Sequence, residues 1–253
     1  MTGPIWSEEA GPVDAPLVVL IHGSMDRSAG LLKLSRRLDG AHRVLRYDRR
    51  GYGRSTPHSG PFGIADQVAD LVTLLDGRRA VLFGHSYGGN VALALAARRP
   101  DLARAVAVYE SPLSWLEWWP RTTAGGDALA VGADPANAAE RFMRRMIGDE
   151  RWRRLPPGTR RARRAEGAAM LGELRDLESH APWEPDAVIV PAVAIHGTRG
   201  AAHHGASTGH LGQVLADCRV VEIDGAKHFG PNTHPDDVAA VLVELVSRAA
   251  TSP

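Results

Sequence analysis

The chain has a single cysteine, Cys218, in 253 residues, so an intrachain disulfide and a cysteine-based zinc cluster are both excluded. Aromatic residues amount to only 6%, and the formal net charge is +1, which gives no global steering toward nucleic acid or acidic membranes. No apolar run approaches the roughly 18–20 residues that a membrane span requires. The segment Met1–Pro16 carries Glu8, Glu9 and Asp14 and lacks a basic-then-apolar signal pattern. A cytoplasmic, soluble monomer or homodimer is expected, with no nucleic-acid or membrane partner. Lysine is nearly missing: 28 of the 30 basic residues are arginine, the exceptions being Lys33 and Lys227. Together with abundant alanine, this is the composition of a GC-rich bacterial coding sequence, and it weakens any argument from arginine abundance alone. Internal repeats and low-complexity tracts are absent.

What is present has an ordinary globular balance, 44% hydrophobic and 23% charged. A domain of this length buries roughly 70–75% of the surface its unfolded chain exposes, so its core needs no covalent staples. Leu17–Ile21, Arg43–Tyr47, Ala80–Phe83 and Ala105–Tyr109 read as strands buried on both faces. Between them, Ser28–Leu38, Ile64–Leu75 and Gly88–Arg98 carry apolar residues three and four apart, as helices do. A second series supplies strands at Ala192–Ile195 and Arg219–Ile223 and helices at Leu211–Ala216 and Pro235–Ser247. The last of these opens on Pro235 with Asp236 and Asp237 behind it, a favourable helix start. Such alternation predicts an α/β fold, a mostly parallel sheet with helices on both faces.

From Ser111 to Asp186 the rhythm breaks. No clear strand occurs there, and five of the six tryptophans, Trp115, Trp118, Trp119, Trp152 and Trp183, fall within it. Phe142, Met143 and Met146 mark a helical apolar face, and Pro156-Pro157-Gly158 a break. The expected organisation is a core of residues 1–110 and 187–253, with a helical cap insertion, 111–186, over one end of the sheet.

Gly84-His85-Ser86-Tyr87-Gly88-Gly89 follows the strand ending at Phe83 and opens the helix running to Arg98. A serine placed so sits on a tight strand-to-helix turn with its hydroxyl exposed. Gly-x-Ser-x-Gly alone is weak; between an apolar strand and an amphipathic helix it is specific. Three more segments stand at strand ends: Leu20-Ile21-His22-Gly23-Ser24-Met25, Tyr47-Asp48-Arg49-Arg50-Gly51-Tyr52-Gly53-Arg54-Ser55 and Asp224-Gly225-Ala226-Lys227-His228-Phe229. With these four signatures in this order, over nearly its whole length, the sequence resembles the α/β-hydrolase family.

The resemblance implies Ser86 as nucleophile and an oxyanion hole formed by the backbone amides of Ser24 and Tyr87. Two such donors aimed at the developing negative oxygen contribute around 3 kcal/mol each. His228 is expected as general base, because serine is a poor nucleophile until an imidazole takes its proton. Chain order favours it among eleven histidines. His196, ahead of Gly197, reads as a packing residue. His203, His204 and His210 lie in a Gly/Ala/Ser-rich stretch and offer metal ligands as one reading, but with no acidic residue between Asp186 and Asp217 they read first as a surface loop. The Asp48–Ser55 segment reads as a structural loop whose charges bond locally.

The family pattern breaks at the third catalytic group. Most relatives carry an aspartate shortly after the strand corresponding to Ala192–Ile195, in a Gly-x-x-Asp turn; here the turn is Gly197-Thr198-Arg199-Gly200. A minority carry the acid at the end of the preceding strand, where this chain has Glu110. Adjacent parallel strands point their C-terminal ends at one site, so Glu110 is expected to orient His228, with Asp224 as the nearest alternative.

Serine at the elbow argues against chemistry that needs a carboxylate nucleophile and favours acyl transfer on a small or medium carboxylic ester. A thioester linked to coenzyme A or a carrier protein, and a carbon–carbon bond in a ketone, are alternatives. A ligand-binding member without turnover is the alternative of another class. His22, Met25, His85, Trp115, Trp118, Trp119 and Phe229 are the candidates to line the substrate pocket. Between Arg141 and Arg164 ten arginines face two acids, Asp149 and Glu150, a cluster that reads as a solvated helix face before a phosphate site. No phosphate loop or dinucleotide fingerprint supports a nucleotide cofactor; neither a cofactor nor a metal is expected.

Overall fold

The computed structural model describes residues 4–130 and 134–251; residues 1–3, at the head of the segment read for a signal, and 131–133, within the expected insertion, lie outside them. Seven strands form one sheet: β1 (Ser7–Ala10), β2 (Leu17–Ile21), β3 (Arg43–Tyr47), β4 (Ala80–His85), β5 (Ala103–Tyr109), β6 (Ala192–Gly197) and β7 (Cys218–Ile223). Their spatial order is β1-β3-β2-β4-β5-β6-β7. Every pairing is parallel except that of β1 with β3. Helices α1 (Leu32–Leu38), α2 (Ile64–Leu75) and α3 (Tyr87–Arg98) precede β5; α4 (Ala124–Ala130), α5 (Pro135–Ile147), α6 (Asp149–Arg154), α7 (Pro157–Ala165) and α8 (Gly167–Ser179) separate β5 from β6. Helices α9 (Ala202–Val214), α10 (Gly230–Thr233) and α11 (Pro235–Thr251) complete the chain.

The two-residue period of the strands divides the core. Leu17, Val19 and Ile21 of β2 pack with α2, α3 and Leu211 of α9 on one face. Val18 and Leu20 pack with Leu34 and Leu38 of α1 and Val238 and Leu242 of α11 on the other. No helix among the described residues is long and apolar enough to cross a membrane.

Two elements escape the periodicity argument. Strand β1, Ser-Glu-Glu-Ala, is largely exposed and has no apolar alternation; it pairs at the sheet edge, with Ser7 opposite Tyr47, where charged residues are favoured. Helix α9 begins at Ala202, not Leu211, because its buried side is small and polar. Ser207 and Thr208 are buried, and the Ser207 hydroxyl donates to the Ser111 carbonyl at 2.6 Å. Gly212 lies so close to β7 that a Cβ there would come within 2.5 Å of a Val220 methyl.

Helices α4–α8 have their own apolar centre, including Phe142, Met143, Trp152, Met170 and Leu174. Buried polar contacts tie this layer to the sheet. Arg49 donates to Glu173 of α8 at 2.7 Å with both side chains fully buried, and Asp176 of α8 accepts the first amide of α2, Ile64 N–H, at 2.8 Å. The arginine-rich segment expected to bond locally therefore reaches across to the insertion.

Topology sets the site. Successive strands from β2 to β3 lie on one side, and the chain then returns past β2 to β4, so the order reverses between β2 and β4. Ligands of open α/β sheets bind in the crevice at the C-terminal strand ends beside such a reversal. Register places His85 opposite Tyr109 and Tyr109 opposite Ile195, which brings the residues just beyond β2, β4, β5 and β6 to one rim.

Candidate active site

Ser86 stands between β4 and α3 with φ 54° and ψ −125°, a conformation that costs a non-glycine residue roughly 1–3 kcal/mol and persists only where neighbours impose it. The neighbours here do. A Cβ on Gly84 would lie 2.4 Å from the Gly89 Cα, and one on Gly88 would lie 2.4 Å from the Ile21 carbonyl oxygen. Glycine at both positions lets the helix start sit directly against the strands, with Ser86 at the bend.

Glu110 also has a positive φ, 48°, while its amide continues the ladder by donating to the Ile195 carbonyl at 2.9 Å. Its side chain is fully buried. Oε2 accepts from His228 Nδ1 at 2.7 Å and Oε1 from the Gly197 amide at 3.0 Å. Burial alone would raise this carboxyl, but the His228 hydrogen bond, the nearby imidazoles and the Gly197 amide outweigh it and hold the group below the ordinary glutamate range. Its expected rival, Asp224, accepts from Thr198 Oγ1 at 3.1 Å and so braces its own turn.

The His228 loop is pinned from beneath. Tyr109 Oη donates to the Lys227 carbonyl and His85 Nε2 to the His228 carbonyl, both at 2.8 Å. Burial, reinforced by His228, pushes the His85 imidazole down to about 3, so it remains a neutral donor.

Ser86, Glu110 and His228 border one cavity of about 380 Å³. Ser24, Trp119 and Phe229 border it too, whereas Tyr87 is buried at the start of α3. The other residues expected in the pocket are elsewhere. His22 is fully buried: Nδ1 donates to the Gly23 carbonyl at 2.8 Å and Nε2 accepts the Arg49 amide at 2.9 Å. Met25 is buried in the apolar centre of the insertion, and His85 is committed to the His228 carbonyl. Trp115 meets Trp183 edge-on at 5.7 Å, and the Trp183 indole donates to Asn90 of α3 at 3.1 Å; this pair fastens the insertion to the core. Trp118 is 44% exposed and faces His210, 5.9 Å away.

His204 adds to the site a residue outside the expected set. The stretch holding His203, His204 and His210 lies within α9 and is not a surface loop, and the His204 ring stacks on His228, 4.7 Å between centroids and 18° between planes. Nε2 lies 3.5 Å from Glu110 Oε2. Burial, then His228, pushes it down to about 3, so a neutral ring covers one face of His228. Glu110, His204 and His228 have ligand atoms within 4.8 Å of one another. Metal-ligating lone pairs lie in the imidazole plane, however, and two nearly parallel stacked planes do not converge on one point; His204 would have to turn for the three to hold an ion.

The missing Gly-x-x-Asp carboxylate has a steric counterpart. A Cβ on Gly200 would lie 2.8 Å from Glu110 Oε1. The Glu110 carboxylate fills the space beside this turn, and a side chain at 200 would collide with it. Among the ten clustered arginines, Arg144, Arg154, Arg163 and Arg164 form ion pairs with Glu140, Asp149, Glu150 or Glu166. Arg145 alone of the ten borders the cavity.

Known proteins match this architecture. Residues 18–241 match the profile of the Alpha/beta hydrolase family. The pimeloyl-[acyl-carrier protein] methyl ester esterase of Aromatoleum aromaticum is 31% identical over 252 residues, spanning 92% of this chain and 99% of that one. The 2-(acetamidomethylene)succinate hydrolase of Mesorhizobium japonicum is 26% identical over 250 residues, spanning 91% and 88%. The crystal structure of the enol-lactonase from Burkholderia xenovorans LB400 superposes with a TM-score of 0.74 at 26% identity, covering 96% of each chain. The chain belongs to the alpha/beta hydrolase family, with esterases and other hydrolases among its relatives.

Proposed function

We propose that this protein is a serine hydrolase of small or medium carboxylic esters, with Ser86 as nucleophile, His228 as general base and Glu110 as the acid that orients the base. The observation that carries this reading is the 2.7 Å bond from His228 Nδ1 to the buried Glu110, on the same cavity as the elbow serine. With Nδ1 donating, Nε2 is left as the acceptor for the serine proton. Ser86 Oγ attacks the ester carbonyl carbon while its proton passes to His228; His228 then protonates the departing alkoxide, leaving an acyl group on Ser86. Water, deprotonated by the same nitrogen, releases the acid. Glu110 keeps the imidazole tautomer and stabilises the imidazolium.

The oxyanion site is built by orienting one peptide. The Gly23 carbonyl accepts from His22 Nδ1 at 2.8 Å and from Arg49 Nη2 at 3.0 Å. A trans peptide is planar, so fixing that carbonyl fixes the Ser24 N–H in the opposite direction. Gly23 is close enough to the elbow that a Cβ there would come 3.0 Å from the Ser86 Cβ, which supports Ser24 and Tyr87 amides as the donor pair. Arg49 is held in place by Glu173, so the insertion contributes to the aim of that amide. Removing Arg49 alone would strand a buried Glu173 charge, a loss of about 3–5 kcal/mol in such pairs. The paired variant Arg49→Met, Glu173→Gln avoids this, and is expected to lower kcat about 10²-fold, the scale of one lost oxyanion donor, with a smaller change in KM; an unchanged kcat in the folded variant would remove the role.

The reading as a whole is tested by a fluorophosphonate probe, which reacts covalently with activated serines. The expected result is one adduct per chain, on the peptide containing Ser86. A folded protein that takes up no adduct there would overturn the proposal.

A further inference from the structure

Helix α5 carries adjacent arginines that face different ways. Arg144 is drawn into ion pairs with Glu140 and Asp149, each at 2.8 Å. Arg145 shares its side of the helix with Phe142 and Met146, and all three border the Ser86 cavity. Its own partners hold it loosely, Asp127 at 3.7 Å and the Thr122 carbonyl at 3.2 Å. Lys227, next to His228 on the sheet side, is the other cation bordering the cavity, and Glu110 is the one carboxylate that borders it among the described residues. Both oxygens of Glu110 are engaged by His228 and Gly197. Trp119, Phe142, Met146, Leu174 and Phe229 make much of the remaining lining apolar.

A largely apolar pocket with a few placed polar groups uses those groups to select and orient its ligand. Here Arg145, a cation with only a long ion pair to Asp127 and a carbonyl contact, sits on the wall contributed by the insertion, whereas Ser86 and Lys227 sit on the sheet side. A guanidinium fork matches a carboxylate in two parallel hydrogen bonds, and the attraction grows as an entering chain displaces water. We propose that Arg145 receives a carboxylate on the acyl part of the substrate, so that the preferred esters are monoesters of dicarboxylic acids. This rests on the ester-hydrolase reading above. The acyl chain runs from Ser86 to the insertion wall, its apolar methylenes lie against Phe142, Met146 and Leu174, and its far carboxylate meets Arg145. Only an acid with its second carboxyl free satisfies both ends.

The test compares mono-p-nitrophenyl esters of succinate, glutarate and adipate with neutral p-nitrophenyl esters of the same chain length. At one chain length or more, kcat/KM is expected to favour the anionic ester by about tenfold or more, the scale of a hydrogen bond to a charged group. Arg145→Gln is expected to lower that anionic-to-neutral ratio by about tenfold, and Arg145→Lys by less, since lysine keeps the charge but loses the fork. Arg144→Gln, on the outer ion pairs, is expected to leave the ratio as it was. A wild-type ratio near one, or a ratio that Arg145→Gln does not move, would overturn the inference. So would a selective loss of acyl-CoA hydrolysis in Arg145→Gln, which would put the recognised anion on the leaving group. Neutral esters hydrolysed through Ser86 despite such a result leave the ester-hydrolase reading standing; failure on both ester series would sink that reading first.

Discussion

Ser86→Ala is expected to lower kcat for p-nitrophenyl acetate by about 10⁴- to 10⁶-fold, the range seen when a nucleophile that works as part of a unit is deleted, with KM changed far less. The hydroxyl is the only atom lost, and the acyl-enzyme route needs it. Binding and oxyanion donors survive, so a residual rate above the uncatalysed one remains. The fold should persist, because the strained turn at φ 54° is imposed by close packing of Gly84 and Gly88 against backbone and alanine accepts the same dihedrals at similar cost. Steady-state rates with matched circular dichroism decide the matter. Equal rates in the two proteins would favour a member of the family that binds a ligand without turning it over.

How far the sequence reveals this site depends on which signals are local. The elbow, the His22-Gly23 turn and the His228 loop all follow apolar strands, and their places in the fold could be read from order alone. Glu110 comes forward through a departure, the glycine at 200, and a side chain there would crowd its carboxylate, with a Cβ 2.8 Å from Oε1. Ring direction was not legible. His22 and His85 flank the site in the chain, yet both turn their nitrogens onto backbone groups, and nothing in a linear pattern distinguishes an imidazole that braces a loop from one that faces substrate. Trp115 has the same ambiguity; a tryptophan near the site is as useful for fastening the insertion as for roofing the pocket. His204 was hidden by the composition of α9, whose buried side holds serine, threonine and glycine in place of the apolar stripe by which helices are recognised. Arg49 was hidden by distance, since its partner Glu173 is 124 residues away.

Glu110→Gln is expected to cut kcat by about 10³- to 10⁴-fold, as loss of the orienting acid does where the tautomer of the base depends on it, while Asp224→Asn costs far less. Glutamine keeps the size but offers an amide N–H where a carboxylate oxygen stood. An N–H facing His228 Nδ1 favours the tautomer with its proton on Nε2, which cannot take the serine proton. The greater cost falling on Asp224→Asn would refute the assignment. The steric relation with Gly200 adds a sharper test. Gly200→Asp alone brings a Cβ to within 2.8 Å of Glu110 Oε1 and sets two carboxylates against each other, so activity should drop. Glu110→Gly clears that space, and glycine accepts the 48° φ at position 110 without strain. Combined with Gly200→Asp, it puts the carboxylate where most of the family carries it, and kcat should recover about tenfold or more over Glu110→Gly, a share of what the orienting acid contributes. Recovery would mean that His228 requires only an anion beside Nδ1 and is indifferent to the strand that supplies it. A double variant no better than Glu110→Gly would mean that the approach from β5 matters in itself, with Gly197 and His204 arranged around a glutamate and no shorter acid.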